Sequence, residues 1–229
     1  MAETAHHCEI TWMNLAPLRE ESLYRAWMAR MPERRRRKAE AFRFPEGRQQ
    51  SLGAGILLML ALKRREIDAA RAEISEGPYG KPFLAGNPGL QFSLSHSGEW
   101  ALCAMADGPV GCDVERIGRG DERLARRFFH PEECAALEAV PDPGEWQRLF
   151  ARIWTRKESF LKADGRGLNL EMNSFSALRP EPGVRYGEKE IAEGYSFSCC
   201  LLGTEDIRTE WRAAEDALLR NPEGAFPEG

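Results

Sequence analysis

Trp154-Thr155-Arg156-Lys157-Glu158-Ser159-Phe160-Leu161-Lys162 is the stretch from which the rest of the chain can be read. It contains no Gly or Pro and its apolar residues recur at helical spacing, so a long helix is predicted over residues 146–163, closed by Gly165. Residues four apart share one helix face, about 6 Å apart along the axis. Trp154, Glu158 and Lys162 therefore form a stripe of ring, carboxylate and ammonium. Alone, a Glu–Lys pair beside a core Trp is an ordinary surface feature. A second acidic pair upstream changes its weight. Gly111-Cys112-Asp113-Val114-Glu115 reads as a strand, with Asp113 and Glu115 on one face about 7 Å apart. Three carboxylates and a lysine then become available to a divalent cation and a phosphate.

Working outward, a second long helix is predicted over residues 48–65, with Leu52, Ile56, Met59 and Leu60 as its apolar face and the small residues Gly53 and Ala54 allowing close packing. Helical spacing also covers residues 23–31, a segment opening at Pro131 and a piece around 211–219. Strands are predicted over residues 10–15, 90–95, 100–106, 110–115, 175–178 and 195–202. Each half thus places a long helix before strands. This doubled order predicts an α+β chain of two similar halves, residues 1–108 and 109–229.

Composition bounds the partners. Of 229 residues, 42% are hydrophobic and 30% charged, the balance of a globular chain long enough for one large domain or two small ones. A net charge of −4 gives no sign of a nucleic-acid or membrane partner, although Arg34-Arg35-Arg36-Arg37-Lys38 is a run of five basic residues. Six cysteines without a Cys-x-x-Cys and four dispersed histidines do not make a zinc site; reduced thiols and a cytoplasmic location are expected. No signal-peptide apolar region opens the sequence, and the longest apolar run, residues 56–62, is too short to span a bilayer.

Asp113, Glu115 and Glu158 are hard oxygen ligands suited to Mg²⁺ or Mn²⁺, and Mg²⁺ asks for only one or two protein carboxylates beside water and substrate phosphate. Ser95-His96-Ser97, at a strand end, offers hydroxyls, amides and an imidazole to a phosphate; a nucleophilic Ser-His pair is disfavoured because adjacent strand residues point to opposite faces. Lys81, between Gly80 and Pro82, sits on a preset backbone. The basic block offers charge to a further phosphate. Each of these alone is more often plain surface than site.

Together they are identifiable. Gly80-Lys81-Pro82, Phe92-Ser93-Leu94-Ser95-His96-Ser97, Gly111-Cys112-Asp113-Val114-Glu115 and Trp154-x-x-Lys157-Glu158-Ser159-x-x-Lys162 resemble, in order and spacing, the 4′-phosphopantetheinyl transferases of the large single-chain, surfactin-synthetase-activating type. The resemblance spans roughly residues 30–176. It implies two α+β halves related by a pseudo-two-fold, with the active site in the cleft between them. It also implies transfer of the phosphopantetheine arm of coenzyme A to a serine of an apo acyl- or peptidyl-carrier protein of a fatty-acid, polyketide or nonribosomal peptide synthase, releasing adenosine 3′,5′-bisphosphate.

By the same resemblance Asp113, Glu115 and Glu158 hold the metal, Glu158 is the general base and Lys162 meets the diphosphate. Lys157 is a supporting charge. Lys81, Pro82 and Ser95 lie against the adenosine, His96 near a phosphate, and Arg35, Lys38 and Ser51 hold the 3′-phosphate. That puts coenzyme A on the side of residues 1–108 and the metal on the side of 109–229. Arg34 and Arg37 fit almost as well as Arg35 and Lys38. Glu133 matches a further carboxylate near the metal. The chain departs from many relatives at Gln49-Gln50, where Arg is frequent, and Arg48 is a candidate substitute. A monomer is expected. Two other readings use the same residues: a Mg²⁺-dependent phosphohydrolase, with water as acceptor, and a non-catalytic module binding coenzyme A or a carrier protein. Gly80-Lys81-Pro82 and Ser95-His96-Ser97 speak against the first, the complete acidic set and Lys162 against the second.

Overall fold

A computed structural model describes residues 6–203 and 207–226. Its elements run β1 (His6–Asn14), α1 (Glu21–Arg30), α2 (Glu33–Glu40), α3 (Pro45–Arg64), β2 (Ile74–Glu76), β3 (Pro82–Leu84), β4 (Gln91–Ser97), β5 (Trp100–Ala106) and β6 (Val110–Arg116). There follow α4 (Glu122–Phe128), α5 (Pro131–Glu138), α6 (Pro143–Asp164), β7 (Val184–Glu188), β8 (Tyr195–Leu202), β9 (Ile207–Ala213), α7 (Asp216–Arg220) and α8 (Pro222–Ala225). The architecture is α+β, as expected. No described helix is long and apolar enough to cross a membrane.

Two sheets face each other. The first has the order β4-β5-β1-β9 and the second β6-β8-β7. One face of the first sheet carries Phe92, Ala101, Cys103 and Met105 and packs on α1 and α3. Its other face, with Cys8, Ile10, Leu102 and Ala104, buries Val110, Cys112, Val114, Phe197 and Cys199 of the second sheet. Helix α6 covers the second sheet from outside. Burial of these apolar faces is the main stabilising term. Helix α3 is buried from Ser51 to Leu62, so it is a core helix rather than an amphipathic surface one. Its Gly53 has to be small: a Cβ there would stand 2.2 Å from Leu15 Cδ2.

Local chemistry fixes the ends of α6. Asp142 accepts from the backbone N–H of Glu145 at 2.7 Å, Pro143 occupies the first turn, and Gly165 ends the helix at φ 86°.

Two expectations are corrected. Residues 175–178 form no strand. Their backbone groups are taken by a buried ion pair instead: Lys157 Nζ donates to Phe175 O at 2.6 Å, and Ala177 N–H donates to Glu133 Oε1 at 2.6 Å. Trp211 is not helical; it lies in β9, which pairs in parallel with β1 and sets Trp211 against Trp12 with ring centroids 6.5 Å apart. The helical piece begins only at Asp216. The hairpin β2–β3 and strand β7 were not predicted. The first is three residues per strand, below the length at which alternation can be read. The second contains Gly187, where a Cβ would stand 2.8 Å from Cys199 Sγ.

Candidate active site

Where the two sheets meet, edge strand β4 lies against edge strand β6 and the contact is made by hydroxyls. Ser93, Ser95 and Ser97 alternate along β4 and so share one face. Their Oγ atoms accept the backbone N–H groups of Cys112, Val114 and Arg116 at 3.0, 3.3 and 3.3 Å. Two of the three also donate onward: Ser95 to Asp113 Oδ1 at 2.7 Å and Ser97 to Glu115 Oε2 at 2.9 Å.

Helix α6 brings the next layer. Gly111 of β6 lets it approach: a Cβ at Gly111 would stand 1.9 Å from Ser159 O and 2.5 Å from Ala163 N. That contact delivers Lys162 to Asp113. Lys162 Nζ donates to Asp113 Oδ1 at 2.6 Å, to Ser95 Oγ at 3.1 Å and to Cys112 O at 3.1 Å. Asp113 is 3% exposed, and its Oδ2 has no partner. Burial and the neighbouring Asp113 charge push the Glu115 and Glu158 carboxyls above their ordinary range. Burial alone would depress the Lys162 ammonium, but Asp113, Cys112 and Glu158 around it raise it on balance. Among the described residues no three His, Cys, Asp or Glu side chains already converge as a metal cluster; Asp113 is drawn onto Lys162 and Glu115 onto Ser97.

These groups line one end of a cleft of about 900 Å³, a size that accommodates a substantial ligand. Trp154, Glu158, Leu161 and Lys162 of α6 form one wall. Arg34, Arg35, Lys38 and Ser51 line the other end, and Tyr79-Gly80-Lys81-Pro82 closes over one side. Helix geometry puts residues 34, 35 and 38 on the same side of α2. Arg37 instead pairs with Glu33 along the exposed helix surface. Arg34 is engaged by Glu76 at 2.7 Å. Arg35 donates to Ser51 O at 3.0 Å, beside the space left by Gly55, yet its Nε is buried without a partner, as is Ser51 Oγ. Burial, then Arg35, pushes the Lys38 ammonium down. His96 sits between the poles: burial lowers it first, then Lys162, Arg35 and Lys38, so it is a neutral imidazole at pH 7.

Lys81 has a second attachment. Its Nζ donates to Ala163 O at 2.8 Å, Gln91 Oε1 at 3.1 Å and Val110 O at 3.4 Å, and burial brings it down to about 8. It lines the cleft while tying the hairpin β2–β3 to the end of α6.

Two expected members stand elsewhere. Lys157, anticipated beside coenzyme A, is 0% exposed and points away from the cleft to Glu133 at 2.8 Å. Glu133, anticipated near the metal, is consumed there, accepting also from His130 N–H at 2.8 Å. The seating of α6 explains it: residue 157, about 100° around the helix from residue 158, is turned into the interior, where Glu133 and the carbonyls of Met172 and Phe175 hold its ammonium. Arg48 donates to Phe42 O at 2.7 Å and Gln50 to Gly98 O at 3.0 Å, both outside the cleft lining. Gly111, Ser93 and Ser97 stand in the motifs quoted from the sequence, but their roles as close-approach glycine and hydroxyl ladder are new with the structure. A lone Gly inside a strand and hydroxyls at every second position are the signals that mark them.

The cleft is thus cationic at one end and acidic at the other, with an unpaired carboxylate oxygen among buried hydroxyls. Residues 109–214 match the 4′-phosphopantetheinyl transferase superfamily. A 4′-phosphopantetheinyl transferase of Bacillus subtilis is 32% identical over 188 residues, 82% of each chain. One from Aneurinibacillus migulanus is 38% identical over 136 residues, 54% of this chain and 56% of that one. An L-aminoadipate-semialdehyde dehydrogenase-phosphopantetheinyl transferase of Mus musculus is 29% identical over 240 residues, 94% of this chain and 74% of that one.

Proposed function

The chain belongs to the 4′-phosphopantetheinyl transferase superfamily, and on that premise we propose that it moves the phosphopantetheine arm of coenzyme A onto a serine hydroxyl of an apo acyl- or peptidyl-carrier protein, in a Mg²⁺-dependent reaction that releases adenosine 3′,5′-bisphosphate. The observation that carries the reading is the polarity of the cleft. Arg35, Lys38 and Ser51 stand at one end, suited to the 3′-phosphate, while His96, Lys81 and Pro82 line the same cleft and suit the adenosine. Asp113, Glu115, Glu158 and Lys162 stand at the other, suited to a diphosphate and its counter-ion. In this reading residues 1–108 supply the first set and residues 109–229 the second.

Asp113, Glu115 and Glu158 would hold Mg²⁺, or Mn²⁺. The unpaired Asp113 Oδ2 fits such an ion, and an all-oxygen donor set suits a hard cation that keeps waters and substrate phosphate in its shell. When bound, the ion supplies charge neutralisation on the diphosphate. Lys162 adds a fixed positive charge at the same place. Glu158, a carboxylate at the acidic end of the cleft, is suited to accept the carrier serine's proton. The serine oxygen forms a bond to the phosphorus nearer the pantetheine, and the anhydride bond to that phosphorus breaks. Lys157 supports the site only indirectly, by anchoring α6.

The test is intact-mass spectrometry of apo carrier proteins incubated with the protein, coenzyme A and Mg²⁺. The expected result is a mass gain equal to phosphopantetheine on at least one carrier, abolished by chelator. Cleavage of coenzyme A with no modified carrier would replace the transferase by a hydrolase. Bound coenzyme A with no turnover would leave a binding module.

A further inference from the structure

The hydroxyl ladder between β4 and β6 contains a residue whose second bond reaches the acidic end of the cleft. Ser97 is 5% exposed. Its Oγ accepts the N–H of Arg116 at 3.3 Å and donates its only proton to Glu115 Oε2 at 2.9 Å. Ser93 occupies the equivalent rung four positions earlier on one side only: it accepts the N–H of Cys112 at 3.0 Å and meets no carboxylate. The two serines share strand, face and ladder role and differ in that one contact. Glu115 is the penultimate residue of β6, and the Ser97 hydroxyl is the side chain that hydrogen-bonds its carboxylate.

We infer that Ser97 is a positioning residue for Glu115: its hydroxyl proton fixes one carboxylate oxygen and turns the other toward the cleft, setting the affinity of the acidic end for a divalent cation. The inference rests on the reading of Glu115 as a ligand of that cation. A hydroxyl that holds a ligating carboxylate in one rotamer reduces the reorganisation needed on binding, and loss of such outer contacts weakens metal affinity about 10–100-fold.

Mn²⁺ affinity, followed by the paramagnetic resonance of the free ion with coenzyme A saturating and no carrier present, tests this without turnover. Ser97→Ala is expected to weaken Mn²⁺ about 10-fold or more, whereas Ser93→Ala, which loses a ladder bond of the same kind, shifts it less than about twofold. Ser97→Thr, which keeps a hydroxyl, is expected to recover most of the loss. Ser97→Cys, close in volume with a weak donor, replaces the alanine variant if that one does not fold. Glu115→Gln separates the two levels of the argument. If Glu115→Gln leaves Mn²⁺ affinity unchanged, the ligand reading of Glu115 fails and this inference with it. If Glu115→Gln weakens Mn²⁺ but Ser97→Ala and Ser93→Ala behave alike, the ladder is only a structural seam and the inference is overturned.

Discussion

Helix α6 carries two lysine–carboxylate pairs five residues apart, and they serve opposite ends. Lys157 and Glu133 meet at 2.8 Å, both 0% exposed. Lys162 and Asp113 meet at 2.6 Å, with the lysine 30% exposed. Every polar capacity of the first pair is used: Lys157 also donates to Met172 O at 2.7 Å and Phe175 O at 2.6 Å, and Glu133 accepts two backbone N–H groups. Phe175 lies 4.2 Å from the ammonium at its ring centroid. The second pair leaves Asp113 Oδ2 without a partner, in a residue that lines the cleft. A closed pair is structure, because nothing remains for a ligand to satisfy. An open one holds unspent electrostatic capacity, and burying an unsatisfied carboxylate oxygen costs enough that its persistence points to a ligand.

The contrast breaks most visibly at the closed pair. Lys157→Ala, which strands Glu133 in the interior, is expected to destabilise the fold by about 3–5 kcal/mol in denaturant unfolding. The double substitution Lys157→Met with Glu133→Leu should recover most of it. A loss below about 1 kcal/mol would mean the closed pair is no anchor.

The open pair should give the reverse profile. Asp113→Ala or Glu158→Ala is expected to lower kcat/KM for carrier modification by about 100-fold or more, through lost transition-state charge stabilisation, while the unfolding midpoint of Glu158→Ala stays close to that of the parent. Near-normal turnover in either variant would remove it from the site.

Gly111→Ala probes the contact that joins the two. The added Cβ has to push Ser159 O and Ala163 N away, at a stability cost of about 1–3 kcal/mol. It should also lower turnover, because Glu158 and Lys162 move with the helix. Unchanged kinetics would show that α6 need not sit so close.

The smallest effect sharpens the comparison. The Glu158 carboxyl lies above its ordinary 4.5 through burial and then Asp113. A raised acid is protonated more readily in the native than in the unfolded chain, so it subtracts stability as pH climbs through 4.5 toward the native value. Metal-free Glu158→Gln should therefore melt higher than the parent at neutral pH, with the gap closing as pH falls below 4.5. A lower melting temperature at neutral pH would mean that Glu158 stabilises the empty cleft.

What could be read in advance follows from locality. The stripe on residues 154–162, the stop at Gly165, the strand carrying Asp113 and Glu115, and the existence of the long helix α3 are all set by neighbours within a few positions, so spacing and composition show them. The α+β class and the family motifs follow from those same segments. Residues 175–178, Trp211 and Lys157 did not follow. A short apolar run becomes a strand only if another strand's backbone groups face it, and at 175–178 Lys157 and Glu133 had already taken them. Trp211 is extended because β1, nearly two hundred positions earlier, offers it an open sheet edge. Lys157 and Glu158 are adjacent in sequence and alike in polarity; which one turns to the cleft is decided by the register with which α6 lies on β6, and Gly111 fixes that register by backbone contact. The sequence by itself determined the helices and strands whose spacing is local and which charged groups are available. The tertiary structure alone decided which charges are closed off in pairs and which stay open, because pairing depends on partners brought together by packing and not by position along the chain.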